Sequence, residues 1–168
     1  MCLGVPHSLI RNIGDACDRV DRALVRAMPK AIVMTQEFSA SAERVFAALD
    51  DHANMGRWLG TKIDLIKPAP DGGIGAVRRL HIGLSSIDEE IIERVVPSHI
   101  VYKIVRGLFP LSFHRGEINI TALGPDSSRV VWQIEIDSKI PLLILVVRAG
   151  LKAAIQSGLK RLDKQLAK

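Results

Sequence analysis

Arg78, Tyr102 and His114 are the side chains whose types and placement suit chemistry in this chain. Each stands in a stretch of alternating apolar residues, where a polar side chain is out of pattern. His114 as a general base with Tyr102 as a hydrogen-bond donor would serve enolisation and ring closure. The plainer reading of a histidine on an apolar face is that it is hydrogen-bonded in place. An arginine on such a face is costly to bury alone, so Arg78 requires an anion. Its candidate protein partners are Glu89 and Glu90, carried by the stretch predicted to run beside it. Arg78 therefore either grips a ligand carboxylate or enolate, or closes a structural ion pair.

Other chemistries that sequence patterns announce are missing. His7, His52, His81, His99 and His114 stand singly, with no spacing that builds a metal site, so neither a metal nor a cofactor is expected. No nucleophile elbow, phosphate loop or dinucleotide fingerprint occurs. Gly72-Gly73-Ile74-Gly75 opens a strand rather than a helix, which argues against phosphate cradling. Cys2 and Cys17 flank a stretch that reads as helix, which argues against a structural disulfide and for a reducing compartment.

The elements that must position these residues follow from periodicity. Residues 8 to 28 place Ile10, Ile13, Cys17, Val20, Leu24 and Met28 at helical spacing, which predicts an amphipathic helix. Ala31 to Phe38 alternates, with Ile32, Met34, Gln36 and Phe38 on one face, and reads as a strand. Ser41 then offers an N-cap and Glu43 a first-turn carboxylate for a short helix with Val45, Phe46 and Leu49 inward. A second short helix is expected over His52 to Leu59. Strands are predicted at Ile63 to Lys67, Ala76 to Ile82, Ile87 to Val96, His99 to Arg106, Phe113 to Leu123 and Arg129 to Asp137. In the fourth of these, Ile100, Tyr102, Ile104 and Arg106 are expected to face one way. Six or seven strands at hairpin spacing make an antiparallel sheet. The chain closes on a long helix that opens at Pro141 and carries the stripe Val147, Leu151, Ile155, Leu159, Leu162 and Leu166, with Arg148, Lys152, Lys160, Arg161 and Lys164 opposite. Ala153, Ala154, Ser157 and Gly158 keep the surface beside the stripe small.

The 168 residues fit one domain, and 48% hydrophobic content says globular. A net charge of +5 favours anionic partners, phospholipid surfaces among them. Nucleic acid is not expected, because the aromatics lie within apolar stretches instead of alternating with basic residues. No secretory signal is visible, and the longest apolar run, Ile140 to Val147, falls far short of the roughly 20 residues a membrane span needs. The expected location is the cytoplasm.

The order strand, two short helices, antiparallel strands and one long helix resembles the START-like superfamily, the helix-grip α+β fold, and within it the polyketide cyclase/dehydrase and lipid-transport branch. The resemblance rests on Ser41-Ala42-Glu43-Arg44-Val45-Phe46 with Trp58 downstream, on Gly73-Ile74-Gly75-Ala76-Val77-Arg78-Arg79, on Glu89 to Glu93 followed by Pro97, Tyr102 and Gly107, and on Val131-Trp132. It covers residues 31 to 166 and implies a curved sheet wrapped around the last helix, with a cavity between them for a hydrophobic small molecule. Strand parity then assigns Gln36, Arg78, Tyr102, His114 and Trp132 to the cavity, and the helix adds Leu151 and Ile155. The function implied is binding or transport of a lipid or an aromatic, polyketide-like molecule. The alternatives are a cyclase or aromatase using Tyr102 and His114, and a peripheral membrane or protein docking module. Residues 1–30 form an extension outside the pattern: an appendage docked on the domain, or a lid, a membrane-surface helix or a homodimer contact, or an upstream addition to a domain whose true start is Met28.

Overall fold

Ile32, Met34 and Phe38 alternate with exposed Val33, Thr35 and Glu37, and that period of two makes the strand β1 (Ile32–Phe38), buried on one face only. The structure, a computed structural model, describes residues 31–69, 73–107, 111–138 and 140–167. The amphipathic segment 8–28, Cys2, Cys17, the proposed start at Met28 and the dimer contact all lie outside those residues. After β1 come α1 (Ala42–Asp50) and α2 (Gly56–Leu59), then β2 (Ile63–Lys67), β3 (Val77–Ile82), β4 (Ser85–Val95), β5 (His99–Gly107), β6 (Leu111–Gly124), β7 (Ser127–Ser138) and α3 (Pro141–Leu166). Ser41 caps α1 as its sequence position predicts, its Oγ accepting from the Arg44 N–H at 3.4 Å.

The seven strands form one antiparallel sheet in the order β1-β7-β6-β5-β4-β3-β2. This is the expected helix-grip fold. One expected orientation is corrected. The β4–β5 ladder pairs Asp88 with Arg106 and Glu89 with Ile104, so Val105 is an extra residue and the strand bulges there. A bulge reverses side-chain parity beyond it. Arg106 therefore leaves the face of Tyr102 and Ile104 and comes within 3.6 Å of Asp88 Oδ2, which also takes Arg79 Nη2 at 2.8 Å.

The long helix is held in two different ways along its length. Its C-terminal half is core: Ile155, Leu159 and Leu162 are each under 5% exposed. Polar ties reinforce that end, with Arg161 Nε donating to the Trp58 carbonyl at 2.7 Å and Arg44 Nη2 donating to the Leu166 carbonyl at 2.9 Å. Gly158 belongs to this packed half. A Cβ there would stand 3.1 Å from Leu59 Cδ1 and 3.3 Å from Leu59 Cα, so the glycine lets α2 lie directly on α3. That corrects its expected role beside a cavity. The N-terminal half of α3 stands off from the sheet, and a cavity opens beneath it.

Candidate functional site

The cavity measures about 550 Å³ and lies between the concave face of β3–β7, the α2 turn and α3. Aliphatic side chains dominate its wall: Leu80, Ile82 and Ile87 on one flank, Ile134 and Ile136 on the other, with Val147, Leu151 and Ile155 from the helix. Gly150 and Ala154 supply the small helical surface. Ile82, Gly83 and Gly150 line the cavity while remaining exposed, which puts its opening between the β3–β4 turn and α3.

Arg78, Tyr102, His114, Trp132, Leu151 and Ile155 all line this space, as their parity and helical phase predict. Gln36 does not. It shares the parity of Met34 but lies beyond the row where Met34 pairs with Trp132, and the cavity ends at that row. The Gln36 amide donates instead to the Glu37 carbonyl at 2.7 Å.

Apart from Thr61, whose hydroxyl donates to the His81 carbonyl, and His81, whose Nε2 lies 2.7 Å from Asp64 Oδ2, the polar side chains of the cavity form one connected cluster. Arg78 is 2% exposed and places both Nε and Nη2 at 2.8 Å from a single oxygen, Glu89 Oε2. The carboxylate is Glu89 because β3 and β4 pair Arg78 directly opposite it, whereas Glu90 faces Val77 and is tied to Lys103. Arg78 Nη1 is taken by Met55 Sδ at 3.0 Å and His52 Nδ1 at 3.4 Å. The guanidinium also lies 4.7 Å from the centroid of the Tyr102 ring, a cation–π contact.

An aromatic chain continues from there. Tyr102 meets Trp132 edge-on at 6.3 Å, and Trp132 meets Trp58 at 6.5 Å. Trp132 Nε1–H donates to Tyr102 Oη at 2.9 Å. Burial holds the Tyr102 hydroxyl firmly protonated, and the nearby Glu89 charge pushes in the same direction.

His114 packs at 5.6 Å from the Tyr102 ring, and its Nδ1 accepts the backbone N–H of Ile104 at 3.3 Å. The β5–β6 pairing ends at Tyr102 and Gly116, so this N–H lies past the ladder and the histidine satisfies it. With its Nδ1 lone pair occupied, the neutral ring carries its proton on Nε2. Burial lowers the His114 pKa, which keeps the ring in that neutral form. Tyr102 and His114 thus stand together as hydrogen-bond donors, and His114 lacks the free ring lone pair that general-base catalysis by it would require.

Sequence reasoning did not single out His52 or Met55. Both come from the turn between α1 and α2, where no periodicity tells which side chains point inward. His52 is 6% exposed, and its Nε2 is the one buried side-chain nitrogen or oxygen among the described residues without a hydrogen-bond partner. Burial, and then the Arg78 charge, depress its pKa from 6.5 to about 4. A histidine depressed in the fold stabilises fully above its unfolded pKa of 6.5, and this contribution is lost as pH falls towards 4. The loss should be on the order of 3 kcal/mol. Urea unfolding at pH 7 and pH 4.5 measures it, and His52→Gln should flatten the dependence; an equally steep loss in the variant would assign it to another group.

Among the described residues no cluster of three or more His, Cys, Asp or Glu could hold a metal ion, and no helix is long and apolar enough to cross a membrane.

The fold recurs in solved structures. A START superfamily protein from Mycobacterium smegmatis superposes with a TM-score of 0.68 at 19% identity, over 81% of this chain and 96% of that one. A protein from Thermus thermophilus gives 0.67 at 18% identity, over 81% and 96%. Norcoclaurine synthase from Thalictrum flavum, solved in complex with dopamine and hydroxybenzaldehyde, gives 0.60 at 18% identity, over 79% and 85%. No curated protein matches the chain. The sequence model of one family, described as polyketide cyclase/dehydrase and lipid transport, matches residues 30–167, and the chain belongs to that family.

Proposed function

We propose that this protein binds and carries a hydrophobic small molecule in the cavity between sheet and helix, without chemically changing it. The observation that carries this reading is a cavity of about 550 Å³ with aliphatic walls, whose few polar groups are tied mainly to one another. That volume lies within the range of small-molecule sites, roughly 300–1,000 Å³. A carrier needs apolar surface to replace water around its cargo. The base that the sequence offers for ring closure, His114, has its Nδ1 lone pair committed to the Ile104 N–H, which favours the carrier over that reaction. Membership of the polyketide cyclase/dehydrase and lipid-transport family agrees with a hydrophobic cargo.

Native mass spectrometry of the purified protein, followed by titration with a panel of lipids and aromatic compounds, tests the reading. A bound apolar molecule, or micromolar uptake of one panel member without turnover, is the expected result. No bound mass and no uptake would sink it.

Blocking the cavity should abolish uptake while leaving the fold intact. Leu151 is the residue of choice, because it is only half-buried and lines the cavity, whereas Ile155 is also packed into the core at 4% exposure. Leu151→Trp is expected to weaken binding at least about tenfold, with an unfolding free energy within about 1 kcal/mol of the parent. A variant that binds normally would place the ligand elsewhere.

A further inference from the structure

The cluster at the cavity wall has one unfilled valence. Arg78 directs Nε and Nη2 to the same oxygen of Glu89, Oε2, and no hydrogen bond to the other oxygen, Oε1, is formed among the described residues. Oε1 is nevertheless not among the sealed, unpartnered atoms, while Glu89 lines the cavity, so this oxygen faces the cavity space. A buried carboxylate oxygen without a donor is an unstable arrangement that a ligand group can complete. On the neighbouring strands, His114 Nε2–H and the Tyr102 hydroxyl proton have no acceptor among the described residues, and both side chains line the same cavity. The cluster thus offers one charged acceptor and two neutral donors.

The guanidinium offers a ligand little. Its Nε–H and Nη1 donors are engaged by Glu89, Met55 and His52, and its charge is balanced by Glu89, whose Oε2 also lies 2.8 Å from Nη2. A carboxylate entering here would meet Glu89 Oε1 and be repelled, with no free cation to compensate its desolvation. A hydroxyl meets the opposite situation: it can donate to Oε1 in a charge-assisted bond and accept from His114 or Tyr102 through its oxygen.

We infer that the cavity takes a neutral apolar molecule bearing a hydroxyl, an alcohol or a phenol, whose O–H donates to Glu89 Oε1 and whose oxygen accepts from His114 Nε2–H or Tyr102 Oη–H, and that it discriminates against carboxylates. This inference rests on the reading of the cavity as a ligand site. Of the two readings that the sequence leaves for Arg78, it takes the structural ion pair over a grip on a ligand anion.

Two matched series test it by calorimetric titration: 1-decanol, decyl methyl ether and decanoate; and 2-naphthol, 2-methoxynaphthalene and 2-naphthoate. In at least one series the hydroxyl compound should bind about tenfold or more tighter than both its ether and its carboxylate. The series in which this holds tells an aliphatic from an aromatic cargo. In Glu89→Gln, Arg78 retains the amide oxygen and an NH₂ donor replaces the acceptor, so the hydroxyl preference should collapse to less than about threefold. Should that variant fold poorly, Arg78→Met/Glu89→Leu removes the acceptor in an apolar replacement and should bind hydroxyl and ether equally. A carboxylate or ether binding best to the wild-type protein, or a hydroxyl preference that survives both variants, overturns this inference and leaves the cavity as a ligand site. Binding of none of the six compounds overturns both.

Discussion

Glu89→Ala is expected to lower the unfolding free energy by about 3–5 kcal/mol, among the largest effects of any single substitution in this domain. The substitution strands a guanidinium that is 2% exposed in a pocket of Met55, His52 and the Tyr102 ring, none of which can neutralise it. The pair itself contributes far less than its disruption costs. Its Coulomb attraction is largely offset by the desolvation of both ions, so Arg78→Met/Glu89→Leu should recover stability to within about 2 kcal/mol of the parent. Chemical denaturation of Arg78→Met, Glu89→Leu and the double variant closes the cycle. Additive losses in the double variant would mean that the two residues do not act as a buried pair.

Gly116→Val should be almost as damaging, by about 3 kcal/mol or more, although it adds only a small apolar side chain to a strand. Gly116 pairs directly with Tyr102, whose ring lies flat across the glycine: a Cβ at 116 would overlap the ring atoms Cζ and Cε1 and the hydroxyl oxygen. A glycine in a strand interior normally weakens it, and its presence here marks a close approach that a side chain would block. Displacing Tyr102 would break the Trp132 hydrogen bond and remove the aromatic face beneath Arg78. Near-UV circular dichroism should lose the signal of the coupled aromatics, and thermal unfolding should begin earlier. A Gly116→Val protein with the parental midpoint and aromatic spectrum would show that the ring is not anchored by this approach. The milder Tyr102→Phe removes only the hydroxyl acceptor of Trp132 and should cost about 1–3 kcal/mol.

Much of this architecture is legible in the residue pattern. The alternation around Met34, Arg78, Tyr102, Trp132 and Ile134 puts them on one face, and the spacing of Val147, Leu151, Ile155 and Leu159 puts these on one stripe. Both patterns are local, since a strand repeats every two residues and a helix every 3.6. Parity fails at Arg106, because an extra residue at Val105 shifts the ladder and no residue type at that position announces a bulge. It is also insufficient at Gln36, which points to the correct side of the sheet but lies past the end of the cavity.

Residue order alone dictates that an arginine, a tyrosine and a histidine face an apolar interior, and that the arginine needs an anion. Hydrophobic periodicity and the cost of burying charge are properties of the chain and of water, and they hold wherever the strands end up. That Glu89 supplies the anion, rather than its neighbour Glu90 or a ligand, is settled only by the assembled sheet. Cross-strand register sets which residue stands opposite Arg78, and a shift of one would have turned the carboxylate to solvent. The same holds for His52 and Met55, brought to Arg78 by a turn more than twenty residues earlier. Packing in three dimensions likewise leaves one carboxylate oxygen and two neutral donors on offer, because hydrogen-bond valence is used up by neighbours in space, which sequence order does not specify.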